Sequence, residues 1–402
     1  MQRTRRILVY GATGFSGRLI AREAARQQKT RGGIEVVLAS RDKEALARIA
    51  RECGLAWRAF SLDDPHRVAA ALQGFEVLLN AAGPFDQTGE RLAKSAIGAQ
   101  CHYVDINGEV DVYKRLDDLD YIAASRGIAL VSGAGHTAAL SDLMLDSALG
   151  QLKRQGIAQE AAGVRIAVER MRFVSRGSAR TMMRMVREQV TVARMRSIDG
   201  KRQLALSHIP VGKLERAFDF GPDDEAGRRP GPDRQQRTHA QRIASAANLI
   251  DTLTARHTAG RHGVPIESID AFIAMPELAR DAYQLGAIVA FGFQLPLLQQ
   301  LNEAQIDALP EGPDASERRK NTHRVVLEVE DRYRQKVIDW CLATGDPYEL
   351  SARIALEAAR GAGLQPSQVG WQTPAAVLGP LLDDLRAGDD APLAGCRWIR
   401  HF

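Results

Sequence analysis

Three glycines spaced three residues apart, Gly11, Gly14 and Gly17, are the residues of this chain whose type and spacing indicate a chemical role most directly. Four apolar residues at positions 7–10 precede them as a short predicted strand, and positions 18–26 follow with the apolar spacing of a helix. Glycine lets the main chain approach an anion closely, and the N–H groups at the start of a helix attract negative charge. A strand, a glycine turn and a helix in this order predict the diphosphate site of a dinucleotide.

The residues after the second predicted strand, 34–39, indicate which dinucleotide binds. An acidic side chain there would bind the ribose hydroxyl of NAD, whereas Ser40 and Arg41 match the 2′-phosphate of NADP. Asp42 follows them, and it can instead be the N-cap of a helix over 43–50. NADP is therefore the predicted cofactor.

Further cofactor contacts are expected at the ends of the third and fourth predicted strands, 57–60 and 75–80. Small residues after the fourth strand would let the cofactor lie across the sheet edge, although an ordinary strand-to-helix turn also explains them. The residues predicted to bind NADP are Gly11, Thr13, Gly14, Phe15, Ser16, Gly17, Ser40, Arg41, Asp63, Asn80, Ala81, Ala82, Gly83 and Pro84.

Polar side chains after the fifth and sixth predicted strands are the candidates for catalysis, because doubly wound sheets bind ligands at the carboxyl ends of their strands. His136 is the predicted general acid, since an imidazole can donate a proton near neutral pH. The alternative is a loop histidine that only bonds the backbone. Asp105 and Glu109 could polarise His136 or bind substrate, or they could form a turn and cap a helix.

The proton donor of short-chain dehydrogenases, Tyr-x-x-x-Lys, does not occur in this sequence. None of the seven tyrosines is followed four residues later by lysine; Tyr103 is followed by Asn107 and Tyr333 by Val337. This largely excludes that mechanism, despite the similar glycine spacing.

A helix predicted from Ser175 through Val192 begins with a second group of candidates. Its first turns could hold a carboxylate or phosphate, and an ordinary capped surface helix is the alternative. The predicted substrate-binding residues are Arg176, Gly177, Ser178 and Arg180.

These residues require a sheet to position them. Six predicted strands alternate with helices up to Val131, which predicts an α/β fold with a Rossmann doubly wound parallel sheet. A further helix is predicted to begin near Ser141. Beyond Gly150 the pattern changes to a second α/β domain with a mixed sheet, and residues 219–237 read as an exposed loop rich in glycine, proline and charge.

The composition is that of a globular protein of two domains, with 402 residues, 45% hydrophobic and 26% charged. Fifty-four basic and forty-nine acidic residues give +5, too small a surplus for a nucleic-acid partner. Eleven Lys/Arg against three acids lie in 165–202, which suits a solvated face or an anionic partner. Four cysteines without a CxxC pair lead us to expect a cytoplasmic protein, and no metal site is predicted.

Residues 282–302 carry no charged side chain over 21 positions, about the length of a membrane span. Two glycines, a proline and five Gln/Asn residues argue against insertion. A buried or interface helix is the first interpretation, a wall for an apolar substrate the second, and membrane contact the third.

The chain resembles the saccharopine dehydrogenase-like oxidoreductases, which include the trans-acting enoyl reductases of lipid and polyketide assembly. The resemblance is close over residues 5–145 and thin between 150 and 340. Where the family usually has Gly-Phe-Asp-Ser after the sixth strand, this chain has Gly133-Ala-Gly-His136. The matching stretches are Tyr10–Arg18, Ala39–Asp42, Asn80–Phe85, Gly89-Glu90, His102–Asp105, Gly108-Glu109, Gly345–Pro347 and Thr373–Ala375.

The resemblance implies a nucleotide domain of residues 1–140 completed by 346–402, and an inserted domain, 141–345, that carries substrate contacts and forms a homodimer. It implies NADP-dependent reduction of a polarised C=C bond of an enoyl thioester, or of a related C=O or C=N bond. The substrate would be a small molecule or an apolar chain linked to CoA or a carrier. Alternatives are a saccharopine-type dehydrogenase acting on a C–N bond and a non-catalytic NADP-binding sensor.

Overall fold

The computed structural model describes residues 4–169, 171–187, 189–221, 241–274, 303–321, 323–385 and 391–401. The loop predicted at 219–237 lies outside these residues from position 222 onward, and the uncharged segment 282–302 lies wholly outside them. Among the helices of the described ranges, none is both long enough and apolar enough to span a bilayer.

Strands and helices alternate along the first third of the chain, and strands predominate afterwards. The strands are β1 (Arg5–Tyr10), β2 (Ile34–Ser40), β3 (Ala56–Ala59), β4 (Val77–Asn80), β5 (His102–Asp105), β6 (Ala129–Val131), β7 (Ala161–Glu169), β8 (Val190–Ile198), β9 (Lys201–Ile209), β10 (Glu215–Asp219), β11 (Gln241–Ala246), β12 (Ser268–Ala274), β13 (His323–Asp331), β14 (Lys336–Thr344), β15 (Gly370–Gln372) and β16 (Arg397–His401). The helices are α1 (Phe15–Thr30), α2 (Lys43–Cys53), α3 (Pro65–Leu72), α4 (Phe85–Gly98), α5 (Val110–Asp117), α6 (Asp120–Ser125), α7 (His136–Arg154), α8 (Arg176–Arg187), α9 (Asp251–His262), α10 (Ala315–Arg319), α11 (Pro347–Gly361) and α12 (Pro374–Leu378).

The first sheet confirms the predicted doubly wound fold. Its seven strands follow the order β15-β6-β5-β4-β1-β2-β3, and every neighbouring pair is parallel. The strand order reverses at β1, which has β2 on one side and β4 on the other. In such sheets the ligand lies outside the carboxyl ends of the strands at this reversal.

Helices cover both faces of this sheet, which is why its central strands are continuous apolar runs. Ile7 and Val9 point into a core shared with α1, α7 and α11, whereas Leu8 and Tyr10 point into a core shared with α3, α4 and α5. Alternate residues of one strand thus anchor two helical layers. The loop that follows β1 is fixed on both sides.

The second sheet is mixed, as predicted. Its order is β10-β11-β12-β7-β13-β14-β16, with β8 paired to β12 and β9 paired to β8. The β7–β12 pair is parallel and the other pairs are antiparallel. Val164, Ile166 and Val168 of β7 belong to the same hydrophobic core as Ile7 and Val9, so the two sheets share a core around α7.

The C-terminal part contributes to both sheets, because β15 pairs with β6 and β16 pairs with β14. The predicted domain boundaries, after residues 140 and 345, stay a prediction.

Two helix boundaries were predicted wrongly. The helix expected to run through Val192 ends at Arg187, and Val192 lies in β8, because the β-branched run Val190-Thr191-Val192 fits a pleated strand better than a helix. The helix expected near Ser141 begins at His136, with Gly135 as its N-cap residue.

Candidate functional site

The glycine loop after β1 requires glycine at two of its three predicted positions for packing alone. A β-carbon placed on Gly11 would lie 2.6 Å from the backbone nitrogen of Ala82, and one placed on Gly17 would lie 2.1 Å from the carbonyl oxygen of Gly11. Gly11 also has φ +89°, a left-handed conformation that favours glycine. The glycine loop therefore packs directly against the turn after β4.

Gly14 has a different role, because it is the N-cap residue of α1. Its side-chain position is open, since a β-carbon there would meet only the Gly11 carbonyl oxygen at 3.4 Å. No side chain caps α1, and no acidic residue stands in its first turn, which begins with Phe15 and Ser16. By contrast, Asp42 caps α2 by accepting a hydrogen bond of 3.0 Å from the Ala45 amide. No protein side chain therefore occupies the amides at the start of α1, as the predicted diphosphate site requires.

The end of β2 lies beside this loop. Ser40 is buried, and its hydroxyl is 2.8 Å from the hydroxyl of Thr13, whereas Arg41 is exposed. Asp42 is the N-cap residue of α2, which is the alternative that the sequence offered for it. A pocket of about 430 Å³ opens next to these residues, with Thr13, Asp42 and two arginines, Arg18 and Arg48, in its lining.

The turn after β4 is shaped by Asn80, which is fully buried. Its side-chain oxygen accepts a hydrogen bond of 2.9 Å from the Ala82 amide, and its nitrogen donates to the Tyr103 hydroxyl at 3.1 Å. Asn80 thereby holds the turn formed by Ala81, Ala82, Gly83 and Pro84 against the glycine loop. Asp63 is exposed at the end of β3 and accepts a hydrogen bond of 2.6 Å from Ser61.

Asp105 connects the ends of β5 and β6. Its carboxylate accepts hydrogen bonds from the amides of Gly133 and Asn107, at 2.9 and 3.0 Å, and from the Tyr103 hydroxyl at 3.0 Å. Complete burial raises the pKa of Asp105 to about 6, although these hydrogen bonds oppose the shift. Glu109 is partly exposed at the N-cap position of α5, and its charge contributes to raising the pKa of Asp105.

His136 is the first residue of α7 and is only 8% exposed. Its Nδ1 lies 3.2 Å from the Ser351 hydroxyl and its Nε2 lies 2.9 Å from the Thr137 hydroxyl. The ring stands edge-to-face with His323, with centroids 4.9 Å apart. Burial, and then the His323 ring, hold the pKa of His136 well below its usual range, so the imidazole is neutral at pH 7.

The predicted substrate helix lies next to the glycine loop. Tyr348 of α11 contacts the Phe15 ring edge-to-face at 5.1 Å, and its hydroxyl accepts a hydrogen bond of 2.6 Å from the Ser175 amide. A β-carbon on Gly108, after β5, would lie 3.6 Å from Thr181 of α8. The start of α8 therefore faces the carboxyl end of the first sheet.

The side chains predicted to bind substrate already contact protein groups. Arg176 donates to the Leu309 carbonyl at 2.6 and 3.1 Å, and Arg180 is paired with Asp307. Gly177 is exposed in the first turn of α8, and Ser178 contacts the hydroxyls of Ser175 and Tyr348 at 3.1 and 3.4 Å.

Residues 307–312, the bridging segment, connect α8 to the glycine loop. Glu311 is paired with Arg18, whose guanidinium also donates to the Thr13 carbonyl at 2.7 Å. Gly312 lies against the Phe15 ring so closely that a β-carbon there would be 2.5 Å from it. The bridging segment therefore contacts both the glycine loop and α8.

Sequence reasoning did not identify Tyr103, His323, Tyr348 and Ser351 as parts of this site. Tyr103 could have been found, because it is two residues before Asp105 and so points to the same face of β5. The other three come from distant positions in the chain, and no local pattern marks them.

Comparison with known proteins identifies the first domain. Residues 7–131 match the family model of the saccharopine dehydrogenase NADP binding domain. A trans-acting enoyl reductase of Mycobacterium leprae is 29% identical over 143 residues, and a saccharopine dehydrogenase-like oxidoreductase of Homo sapiens is 28% identical over 160 residues. These matches cover 34% and 35% of this chain and 34% and 37% of the relatives, so the chain spans about a third of the length of the curated relatives that it matches.

The fold of the whole chain has a known counterpart. Apo saccharopine dehydrogenase (L-Glu forming) of Saccharomyces cerevisiae superposes with a TM-score of 0.54 at 11% identity, over 95% of this chain and 97% of that one. The resemblance inferred from the sequence, the fold class and an NADP-binding domain are thereby confirmed. The roles of individual site residues stay predictions.

Replacement of Asp105 tests its part in joining β5 to β6. Asp105→Ala leaves two buried amides and the Tyr103 hydroxyl without their acceptor, and we expect a loss of about 2–4 kcal/mol in the free energy of unfolding at pH 7. Asp105→Asn keeps an acceptor and removes a buried charge, so its loss should be smaller. Urea unfolding measures both.

The pH dependence of the same variants gives a second readout. Because the pKa of Asp105 rises from 3.8 to about 6 on folding, the native state binds the extra proton between these values, and this group's contribution to stability falls as pH rises from 4 to 6. The stability gap between wild type and Asp105→Asn should therefore narrow over this window. Parallel pH profiles would contradict a raised pKa.

Proposed function

We propose that this protein is an NADP-dependent oxidoreductase that reduces a polarised double bond at the carboxyl ends of β4, β5 and β6. The observation that carries the proposal is the uncapped start of α1, with Ser40 and Arg41 beside it, inside a segment that matches an NADP-binding domain. A diphosphate would accept hydrogen bonds from the first amides of α1, and Arg41 would pair with the 2′-phosphate. When bound, NADPH supplies the hydride.

The protein's own contribution would be orientation, exclusion of water and polarisation of the acceptor. The turn after β4 contacts the glycine loop at Gly11, and Thr181 of α8 lies against Gly108 in the turn after β5. These surfaces define the space for the reacting bond.

We assign to His136 the role of hydrogen-bond donor to the substrate atom that gains negative charge. By exchanging its present hydroxyl partner, Ser351 or Thr137, the single N–H of the neutral imidazole would donate to an oxygen that gains charge, as a neutral electrophile rather than as an imidazolium acid. Asp105 would support it indirectly, because its carboxylate fixes Gly133 three residues earlier. Glu109, at the same sheet edge, remains a candidate for substrate contact.

The favoured substrate is an enoyl thioester with an apolar chain on an anionic carrier or CoA. Relatives named trans-acting enoyl reductase and the arginine-rich 165–202 segment support this choice. Within this proposal, Arg176 and Arg180 would meet the anionic part by exchanging their present partners, Leu309 and Asp307. The working form would be a cytoplasmic homodimer.

Two alternatives have a specific observation in their favour. The fold shared with yeast saccharopine dehydrogenase supports chemistry on the C–N bond of an amino acid, which requires arginines that converge on two carboxylates. The burial of His136, with both ring nitrogens bonded by Ser351 and Thr137, supports an NADP-binding sensor without turnover.

Steady-state assays distinguish the three functions. Enoyl-CoA thioesters of increasing chain length should cause oxidation of NADPH, which is measured as a loss of NADPH fluorescence. The matched saturated acyl-CoA thioesters should cause no loss. Turnover only with a 2-oxo acid plus an amino acid would support the C–N alternative. Tight NADPH binding without any turnover would support the sensor and defeat the reductase.

Cofactor choice is tested at Arg41. Arg41→Ala removes the proposed partner of the 2′-phosphate, and we expect the Kd for NADPH to rise about tenfold to a hundredfold while that for NADH changes little. Arg51→Ala is a control, because Arg51 is an exposed arginine in the last turn of α2 and does not line the pocket beside Thr13. Equal weakening of NADPH and NADH by Arg41→Ala would argue against a 2′-phosphate contact.

The role of His136 is tested by kinetics and pH. His136→Ala should lower kcat about a hundredfold or more with an unchanged Kd for NADPH. Because its pKa lies well below the usual range, the wild-type rate should show no inflection from this residue at about pH 6 to 8. An inflection near neutral pH that His136→Ala abolishes would show an imidazolium acid instead.

A further inference from the structure

A second concave surface lies at one end of the mixed sheet. It is a groove of about 610 Å³ between the first residues of β7 and β12, the last residues of β8 and β13, and the β13–β14 turn. We call it the arginine groove. Six arginines line it: Arg165, Arg194, Arg196, Arg202, Arg332 and Arg334.

The groove is separate from the predicted reaction site. His136 begins α7, a helix of 19 residues that is about 28 Å long, and β7 starts at Ala161 shortly after its far end. Likewise, β13 starts at His323 beside His136 and ends at Asp331 in the groove. Hydride transfer at His136 therefore does not explain this surface.

The three acidic residues of the groove are already neutralised or bonded. Glu267 pairs with Arg202 at 2.8 Å, and Glu330 pairs with Arg216 at 2.5 Å and with Arg165 at 3.5 Å. Asp331 accepts hydrogen bonds of 2.8 Å from the amides of residues 333 and 335.

The floor of the groove is rigid, because its inner arginines are held on several sides. Arg165 donates to the Ser268 hydroxyl at 3.0 Å and lies 3.5 Å from the carboxylate of Asp270. Arg194 pairs with the same carboxylate at 2.5 Å. A site that is ordered before its ligand arrives loses less entropy on binding.

Three arginines remain available at the rim, Arg196, Arg332 and Arg334. All three are exposed, and within the described ranges of the chain no acidic side chain is paired with them. Six arginines against the three acids of the lining and Asp270 in the floor leave a surplus of two positive charges. Guanidinium groups bind phosphate oxygens in a bidentate way, which suits this surplus to phosphate.

The backbone of Arg334 adopts a left-handed conformation. It has φ +64° in the β13–β14 turn, where glycine or asparagine is the usual residue. A long charged side chain is thus kept at a position that costs it about 1 kcal/mol or more.

We propose that the arginine groove binds a small molecule that carries a phosphate or diphosphate group, at a site distinct from the NADP site. The ligand's phosphate lies between Arg196, Arg332 and Arg334, and the Arg165–Asp270–Arg194 cluster forms the floor. A concave site with a fixed floor fits a small anion better than the surface of an acidic protein, which needs a broad and flatter contact.

The test uses inorganic pyrophosphate as the probe and the full chain saturated with NADPH, so that the glycine loop is blocked. Calorimetry at constant ionic strength should show saturable binding to the wild type. Arg332→Gln with Arg334→Gln should weaken the affinity about tenfold or more, since two charged contacts are lost. Arg126→Gln with Arg319→Gln, two exposed arginines outside the groove, should change it less than about twofold.

Both double variants change only exposed side chains. Their thermal unfolding midpoints are compared with that of the wild type first, so that a folding defect is distinguished from a loss of binding. No saturable binding of pyrophosphate to the wild type would overturn the proposal. Equal affinity in wild type and the groove variant would overturn it as well. Because the readout is binding and not turnover, the result is independent of which substrate the reductase uses.

Discussion

The contact between the Gly17 backbone and the carbonyl oxygen of Gly11 is the constraint on which the nucleotide site depends. A β-carbon at Gly17 would lie 2.1 Å from that oxygen, so any side chain would push α1 away from the end of β1. A second close approach, between Gly11 and the Ala82 backbone, places the loop on the turn after β4, and α1 then starts at the end of β1 without a side-chain cap. The exposed amides that we propose for the diphosphate are thus positioned by a packing requirement.

Buried polar groups extend this arrangement across the sheet. Asn80, Tyr103 and Asp105 form a chain of hydrogen bonds that holds the ends of β4, β5 and β6 in register, and Asp105 reaches the Gly133 amide just before α7. Burial of the Asp105 carboxylate raises its pKa, so its ionised form lowers the free energy of unfolding at neutral pH. His136 then stands at a fixed helix start, where a neutral ring is favoured.

The first sheet was largely predictable from the sequence, because its strands are short apolar runs between turn residues. The second strand was predicted at residues 34–39 and lies at Ile34–Ser40. The start of α7 was predicted near Ser141, which is too late, because Gly133 and Gly135 are typical of a loop. In the structure Gly135 is the N-cap residue of the helix. Likewise, Val190–Val192 was predicted as the end of a helix. In the structure these β-branched residues pair with β9 instead.

The surroundings of the site were beyond prediction for a different reason. Tyr348 meets Phe15, and Ser351 meets His136, across more than two hundred residues of chain, and such pairs leave no periodic signal. The same holds for Glu311, which reaches Arg18 from the bridging segment. Motifs in the sequence identified the cofactor loop, whereas the groups around the reacting bond depend on long-range packing.

A crystal structure of the protein with NADPH would show whether the cofactor lies along the ends of β1, β4, β5 and β6. We expect the diphosphate on the amides that open α1, the 2′-phosphate beside Ser40 and Arg41, and C4 of the nicotinamide facing an accessible space next to His136. A nicotinamide directed away from β4–β6, or a C4 face covered by the protein's own side chains, would contradict it.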